Sequence, residues 1–219
     1  RLLGERVGRP LRLRVALEKR IPVAAGLGGG SSDAAAALVG AVRLLDLPVS
    51  QEALAEVAAA VGADVPFFLR GGTCLAEGRG ELLTPLGFPG AWRVVLARPA
   101  LSVSTAAVYG SLDLGRVRAR PDVGAMVRAL AAGDLEGVCR HLANVLESVT
   151  LERYPQVAAL KRRFLELGAP GCLMSGSGPA VFALARAEAE AAALAAGVRD
   201  LAAFVAVTAL SPEGVRPDA

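Results

Sequence analysis

Three short stretches carry residue types suited to chemistry on a phosphate. The first is "PVAAGLGGGSSDAAAAL", Pro22 to Leu38, in which Gly26, Gly28, Gly29 and Gly30 lead into Ser31, Ser32 and an alanine-rich apolar run. Glycine costs conformational entropy in any ordered element, so a cluster this dense calls for a reason. A glycine-rich turn at a helix start supplies one. Without Cβ atoms the backbone N–H groups can crowd around an anion, and the helix adds the equivalent of about half a positive charge at its first turn. The hydroxyls of Ser31 and Ser32 are placed to reach a phosphate or a phosphate-bound Mg2+. The plain alternative is a flexible surface turn with Asp33 or a serine as helix cap. Neither familiar phosphate loop fits. G-x-x-x-x-G-K-[ST] needs a lysine that does not follow these glycines, and G-x-G-x-x-G starts at Gly26 and Gly28 but meets Ser31 in place of its third glycine.

The second stretch, "MSGSGPAVF" from Met174 to Phe182, is another glycine-rich turn, set between two segments that read as strands. Taken alone it is also an ordinary hairpin; two such turns in one chain favour phosphate handling. The third is "VGADVPFF", Val61 to Phe68, where Asp64 occupies a short polar gap between a helix and an apolar segment. An aspartate there either caps the next helix, with Pro66 in its first turn, or holds a carboxylate beside an acceptor hydroxyl, orienting it and taking its proton as phosphoryl transfer requires.

These residues need elements to hold them. "LRLRVALE" alternates Leu11, Leu13, Val15 and Leu17 with polar or small residues, which predicts a half-buried strand in need of partners. A helix is expected from Asp33 to about Leu45, and another in "SQEALAEVAAAVG" with Ser50 as N-cap and Gly62 as stop. "TCLAEGRGELLTPL" reads as a hairpin turning at Gly78-Arg79-Gly80. The Pro/Gly-punctuated connector "TPLGFPGAW" sets a domain boundary near Gly90, giving domains 1–89 and 90–219. Beyond it come the strand "WRVVLARP", a short helix at Thr105–Tyr109, and helices over Pro121–Ala132, Asp134–Glu147 and Tyr154–Leu167. In the last, Val157, Leu160, Phe164 and Leu167 share one face. The strand-loop-strand "GCLMSGSGPAVFAL", the helix Ala187–Ala196 and the strand "AAFVAVTAL" complete an α+β pattern of two layers.

Composition excludes several classes. No apolar stretch of membrane-spanning length occurs, and the N-terminal segment lacks the apolar core of a secretory signal. The net charge is only +3 with arginines scattered, which gives no nucleic-acid stripe. Cys74, Cys139 and Cys172 are odd in number and far apart, forming neither a disulfide framework nor a zinc site; reduced thiols in a cytoplasmic protein are expected.

Together these motifs resemble a known family. "PVAAGLGGGSSDAA" is similar to the ATP-binding motif of the galactokinase, homoserine kinase, mevalonate kinase and phosphomevalonate kinase (GHMP) superfamily, and "MSGSGPAVF" to its C-terminal motif. The longer G-L-G-G-G-S-S-D-A-A, joined to "GADVPFF" and "NVLESVTLERYP", resembles one branch, the 4-diphosphocytidyl-2-C-methyl-D-erythritol kinases of the non-mevalonate isoprenoid pathway. The likeness runs over essentially the whole chain. It implies a partial ribosomal-protein-S5-like N-terminal domain and a ferredoxin-like C-terminal one. It implies ATP, with Mg2+ reached by Ser31 or Ser32, held by Pro22, Val23, Ala24, Ala25, Gly26, Leu27, Gly28, Gly29, Gly30, Ser31 and Ser32. Asp64 falls on the family's catalytic aspartate, the acceptor of a proton from the methylerythritol 2-hydroxyl as it attacks the γ-phosphorus. Tyr109 falls where the family sets an aromatic against cytosine, although a tyrosine packed in the core with its hydroxyl at the surface reads nearly as well. Thr105 and Ser177 are further candidates near substrate and phosphate, while Asn144 and Glu147 are expected only to tie helices together. The implied partner is a small molecule, the cytidine diphosphate-linked methylerythritol, with neither nucleic acid nor membrane, in a monomer or homodimer.

The chain departs from the family in one respect. Neither its lysine motif P-A-K-x-N-L nor the D-G-Y-H stretch that grips cytidine is present; Lys19 belongs to the segment before the glycine loop, Lys161 to a helix, and His141 does not align. An absent N-terminal sheet's worth of chain is therefore expected, leaving Asp64 without a neighbouring cation and "LRLRVALE" with an unpaired edge. A sister kinase of another small alcohol is disfavoured by the extra glycine, Asp33 and G-A-D-V-P. A nucleotide-binding module without chemistry fits the missing lysine. A serine hydrolase lacks the G-x-S-x-G elbow.

Overall fold

The computed structural model describes residues 1–87, 89–115, 117 and 120–216, so Phe88 of the expected connector lies outside the described residues. The chain forms two compact units. The first comprises Arg1–Ile21, Gly28–Leu86 and the chain from Ser211 on; the second comprises Pro22–Leu27 and Gly87–Leu210.

In the first unit lie helices α1 (Leu2–Arg6), α2 (Gly29–Leu44), α3 (Gln51–Val61) and α4 (Val65–Arg70), followed by strands β1 (Thr73–Glu77) and β2 (Leu82–Leu86). Helix α3 has the expected ends: Ser50 Oγ accepts the Ala53 N–H, and Gly62 follows the last turn. The hairpin β1–β2 is antiparallel, with Glu77 opposite Leu82 across the Gly78–Glu81 turn. Two apolar clusters hold the helices. Leu3, Ala41, Leu47 and Val57 are buried in one; Ala35, Ala58 and Val65, with Phe68 and Val215 against them, form the other.

Two expectations for this unit are corrected. Helix α2 begins at Gly29 rather than Asp33, because Gly28 adopts a left-handed conformation as N-cap and its carbonyl accepts the first helical bond, from the Ser32 N–H at 2.9 Å. Residues 11–17 form no strand, and Val15 and Leu17 are exposed. The physical reason is the lack of a ladder: among the described residues β1 and β2 pair only with each other, and an extended segment without a neighbour leaves its backbone groups to water.

The second unit contains β3 (Arg93–Arg98), α5 (Thr105–Gly110), α6 (Val123–Ala131), α7 (Leu135–His141), α8 (Glu147–Arg153), α9 (Pro155–Glu166), β4 (Gly171–Met174), β5 (Val181–Ala185), α10 (Glu188–Gly197) and β6 (Phe204–Ala209). Its sheet has the order β4-β5-β3-β6, antiparallel throughout. Numbered along this unit the strands run 2-3-1-4, the ferredoxin-like order. Adjacent strand residues point to opposite faces, and both faces are covered. Val95, Ala97, Val181 and Ala183 pack with Val157, Leu160 and Phe164 of α9 and Leu194 of α10. Val94 and Leu184 pack with Ala129 of α6 and Val138 of α7. The expected two layers are thus three in this unit, because α6 and α7 cover the second face.

The helix expected over Asp134–Glu147 stops at His141, and α8 is a separate element. Leu142 leaves the helix with ψ 120°, and the side chain of Asn144 bonds to backbone elsewhere in the unit, described below. Of the four apolar residues expected on one face of α9, Val157, Leu160 and Phe164 are buried, whereas Leu167, past the helix end, is 42% exposed. Among the described residues no helix is long and apolar enough to cross a membrane.

Phe164 has no solvent exposure, while its neighbour Leu165 is 53% exposed on the same helix. Phe164→Ala is expected to cost about 3–5 kcal/mol and Leu165→Ala less than about 0.5 kcal/mol, a contrast read from urea unfolding followed by circular dichroism.

Candidate active site

In the first unit the site is built on the start of α2. Gly28 has φ +67°, and a Cβ there would stand 2.5 Å from Cζ of Phe68, so a bare backbone is required for the α4 ring to pack against the turn. Gly30 differs. Its φ is not positive and a Cβ would meet nothing within 4 Å, so the fold gives no reason for glycine inside the first helical turn. No acidic side chain occupies that turn. The Ser32 hydroxyl donates to the Gly29 carbonyl at 2.9 Å, whereas no hydrogen bond engages the Ser31 hydroxyl among the described residues. Lys19 pairs with Asp33, and its ammonium would lie 3.5 Å from a Cβ on Gly29. A cation therefore stands at the helix start, and no local pattern of residues foretells it.

Asp64 immediately precedes α4, four residues before Phe68. The ordinary task of an aspartate there is to cap the helix. Asp122 and Asp134 do so, accepting the N–H of Ala125 and of Gly137 at 2.9 Å each. Asp64 does not: its carboxylate makes no capping bond and is exposed. Its Oδ1 would lie 3.5 Å from a Cβ on Gly80, in the β1–β2 turn. The carboxylate is therefore not consumed by its own helix and is open to a ligand.

In the second unit the two glycine turns are interlocked. Ser175 Oγ donates to the Gly26 carbonyl at 2.8 Å, and the Ala180 N–H to the Ala25 carbonyl at 3.1 Å. Gly26, at φ +76°, lies so close that a Cβ would stand 2.2 Å from the Ser175 carbonyl oxygen. Ala24, beside it, holds φ +53°, a conformation that costs a non-glycine residue about 1–2 kcal/mol. The second turn is closed on itself by Ser175 N–H to Ala180 and Gly178 N–H to Ser175, both at 2.9 Å.

Thr105 and Ser177 are brought together, their hydroxyl oxygens 2.8 Å apart. Ser177 is buried, and its carbonyl accepts from the buried Thr150 hydroxyl at 3.2 Å. Tyr109, one helical turn after Thr105 on α5, is 60% exposed, so it is no core tyrosine. Asn144 and Glu147 do more than tie helices. The Asn144 amide donates to the carbonyls of Met174 at 2.9 Å and Gly176 at 2.8 Å, and Glu147 accepts the Met174 N–H at 3.0 Å. The one sequence signal was an asparagine in a supposed helix interior, where that residue competes poorly. Two of the thiols are held protonated. Burial, reinforced by Glu136, pushes the Cys139 thiol up to about 11, and burial raises Cys172 to about 11 against the opposing charge of Lys161. Neither is a thiolate at neutral pH.

The chain has close counterparts among known proteins. Residues 1–72 match the GHMP kinases N terminal domain and residues 126–202 the GHMP kinases C terminal domain. The chain is 50% identical over 212 residues to 4-diphosphocytidyl-2-C-methyl-D-erythritol kinase of Exiguobacterium sibiricum, covering 97% of this chain and 74% of that protein. The chain belongs to the 4-diphosphocytidyl-2-C-methyl-D-erythritol kinase family of GHMP kinases. The Geobacillus kaustophilus member of this kinase family is 52% identical over 170 residues, which span 78% of this chain and 58% of that one. A crystal structure of 4-(cytidine 5'-diphospho)-2C-methyl-D-erythritol kinase superposes with a TM-score of 0.79 at 37% identity, over 95% of this chain and 75% of that one. The family's members are named as small-molecule kinases, which accords with a helix start free of acidic side chains and a carboxylate that caps nothing.

The two glycines of α2's start separate by stability. Gly30→Ala is expected to raise stability by about 0.5–1 kcal/mol, whereas Gly28→Ala lowers it, because the left-handed φ and the Phe68 ring both oppose a Cβ. Thermal unfolding of the two variants reads the opposite signs.

Proposed function

We propose that this chain transfers the γ-phosphoryl group of ATP to the 2-hydroxyl of 4-diphosphocytidyl-2-C-methyl-D-erythritol. The observation that carries the reading is Asp64, a carboxylate at a helix start that caps nothing, on a helix packed through Phe68 against Gly28. Family membership at about half identity supports the substrate, since the related proteins bear that kinase name.

The roles follow from the chemistry of each group. The free N–H groups of Gly29, Gly30 and Ser31 take the nucleotide phosphates, favoured by the helix dipole and by a first turn free of carboxylates. In the second unit the residues from Pro22 to Leu27, and the second glycine turn bonded to them, are assigned to the nucleotide as well. Mg2+ suits the donor set: the uncommitted Ser31 hydroxyl would meet it, and the ion would offset phosphate charge. Asp64 orients the 2-hydroxyl and accepts its proton as the oxygen bonds to the γ-phosphorus and the bond to the bridging β–γ oxygen breaks, releasing ADP. Tyr109 offers its exposed ring to cytosine, and Thr105, whose hydroxyl meets that of Ser177, lies one turn earlier on the same helix.

One observation favours a second reading. Among the described residues no ion pair engages Asp64, and nucleotide binding without turnover is the reading that this favours.

The test is ADP formation with ATP, Mg2+ and 4-diphosphocytidyl-2-C-methyl-D-erythritol. Asp64→Asn is expected to lower kcat about 10²–10⁴-fold with nucleotide affinity retained. Gly30→Ala is expected to raise the KM for ATP about tenfold, a cost of about 1.4 kcal/mol, although its fold is the more stable. Nucleotide binding without turnover in the wild-type chain selects the second reading; absence of both rejects the two together.

A further inference from the structure

We propose that Asn144 and Glu147 are positioning residues that set the second glycine turn for the nucleotide, acting through Ser175 and Gly176 on Gly26. The proposal rests on the nucleotide reading above. Strand β4 is an edge of its sheet, so alternate backbone groups on its outer side have no ladder partner. Met174 is such a position. The Glu147 carboxylate accepts its N–H at 3.0 Å, and the Asn144 amide donates to its C=O at 2.9 Å. Covering an edge would require no more than this. Asn144 goes further, since its second amide hydrogen is donated to the carbonyl of Gly176, inside the turn, at 2.8 Å. Its own carbonyl accepts the Leu146 N–H at 3.0 Å, so both donors and the acceptor of the amide are used.

The other side of Gly176 faces the first glycine turn. A Cβ there would stand 3.3 Å from the Gly26 carbonyl oxygen, which also accepts the Ser175 hydroxyl. Fixing Gly176 and Met174 therefore fixes the two residues that hold Gly26. Glu147 is itself oriented by Lys161, whose ammonium meets its second oxygen at 2.6 Å, with both side chains largely buried. Charge-assisted bonds of this kind are short and directional, which suits a bracket better than a general filler.

Asn144→Asp separates positioning from bulk. The variant keeps the shape and the bond from Leu146 but turns one carboxylate oxygen, in place of the amide nitrogen, towards two carbonyls. Hydrogen exchange at Gly178 and Ala180 N–H is expected to quicken about tenfold or more, with the β3–β6 ladder unchanged, and the Kd for ATP with Mg2+, measured by calorimetry, to rise about tenfold. Glu147→Gln keeps an acceptor for Met174 but loses the charge that Lys161 orients, and is expected to move both readings in the same direction as Asn144→Asp by about threefold or more. Unchanged exchange at the turn in Asn144→Asp overturns the proposal. So does acceleration shared equally by the β3–β6 ladder, which would mark a role in stability alone, or local acceleration with ATP affinity intact. The wild-type titration stands apart from these: a wild-type chain that takes no ATP rejects the functional reading and the proposal with it, whereas wild-type binding with unaffected variants rejects the proposal only.

Discussion

The contact between the two glycine turns is the constraint on which the arrangement of the second unit depends. It joins distant parts of the chain through one serine hydroxyl, Ser175 to Gly26, and one backbone N–H, Ala180 to Ala25. Closing so long a loop costs entropy that grows only slowly with length, so a few good bonds and the surrounding core suffice. What the contact does not tolerate is bulk, because backbone meets backbone at Gly26. The strained φ of Ala24 persists for the same reason: its neighbour Ala25 is buried and bonded, and the segment has no slack in which to relax.

Glycines in such a loop answer to different demands, and the structure sorts them. Gly26 and Gly28 are required internally, by the Ser175 carbonyl and by the Phe68 ring. Gly30 is required by neither φ nor neighbour, and it weakens the helix that contains it. A residue that costs stability and serves no internal contact points to a constraint applied from outside the fold. A bound phosphate needing close approach to the N–H groups of the first turn is one that fits.

What the sequence made legible was whatever is decided locally. Ser50 as cap and Gly62 as stop gave α3 within a residue, and glycine spacing gave both hairpins, because caps and turns are read by nearest neighbours. The motif residues Thr105 and Ser177 were named together, though nothing in their spacing showed that their hydroxyls meet. What stayed hidden was decided at long range. Alternation at Leu11–Leu17 predicts a strand, but a ladder needs a partner that no local pattern supplies. The break after His141 is made by Asn144 bonding thirty and more positions away, which periodicity cannot register. The Lys19–Asp33 pair likewise arises only once α2 has formed.

Asp64 shows how far the placement of one carboxylate depends on remote parts of the chain. Helix α4 is six residues long, too short to hold itself together in water. Its order comes from packing: Val65 is buried against Ala35 and Ala58, Phe68 lies on Gly28, and the Phe68 carbonyl accepts the Val215 N–H at 2.8 Å. Beside this bond Gly71 and Gly214 meet backbone to backbone, with no room for a side chain on either. Gly214 and Val215 thereby clamp the far end of α4, while the glycine turn clamps its middle. Because the carboxylate makes no bond to its own helix, nothing but these clamps fixes where it stands. The rigidity that the proposed role of Asp64 as a general base needs is therefore supplied by apolar packing and two close glycine approaches rather than by a polar partner among the described residues.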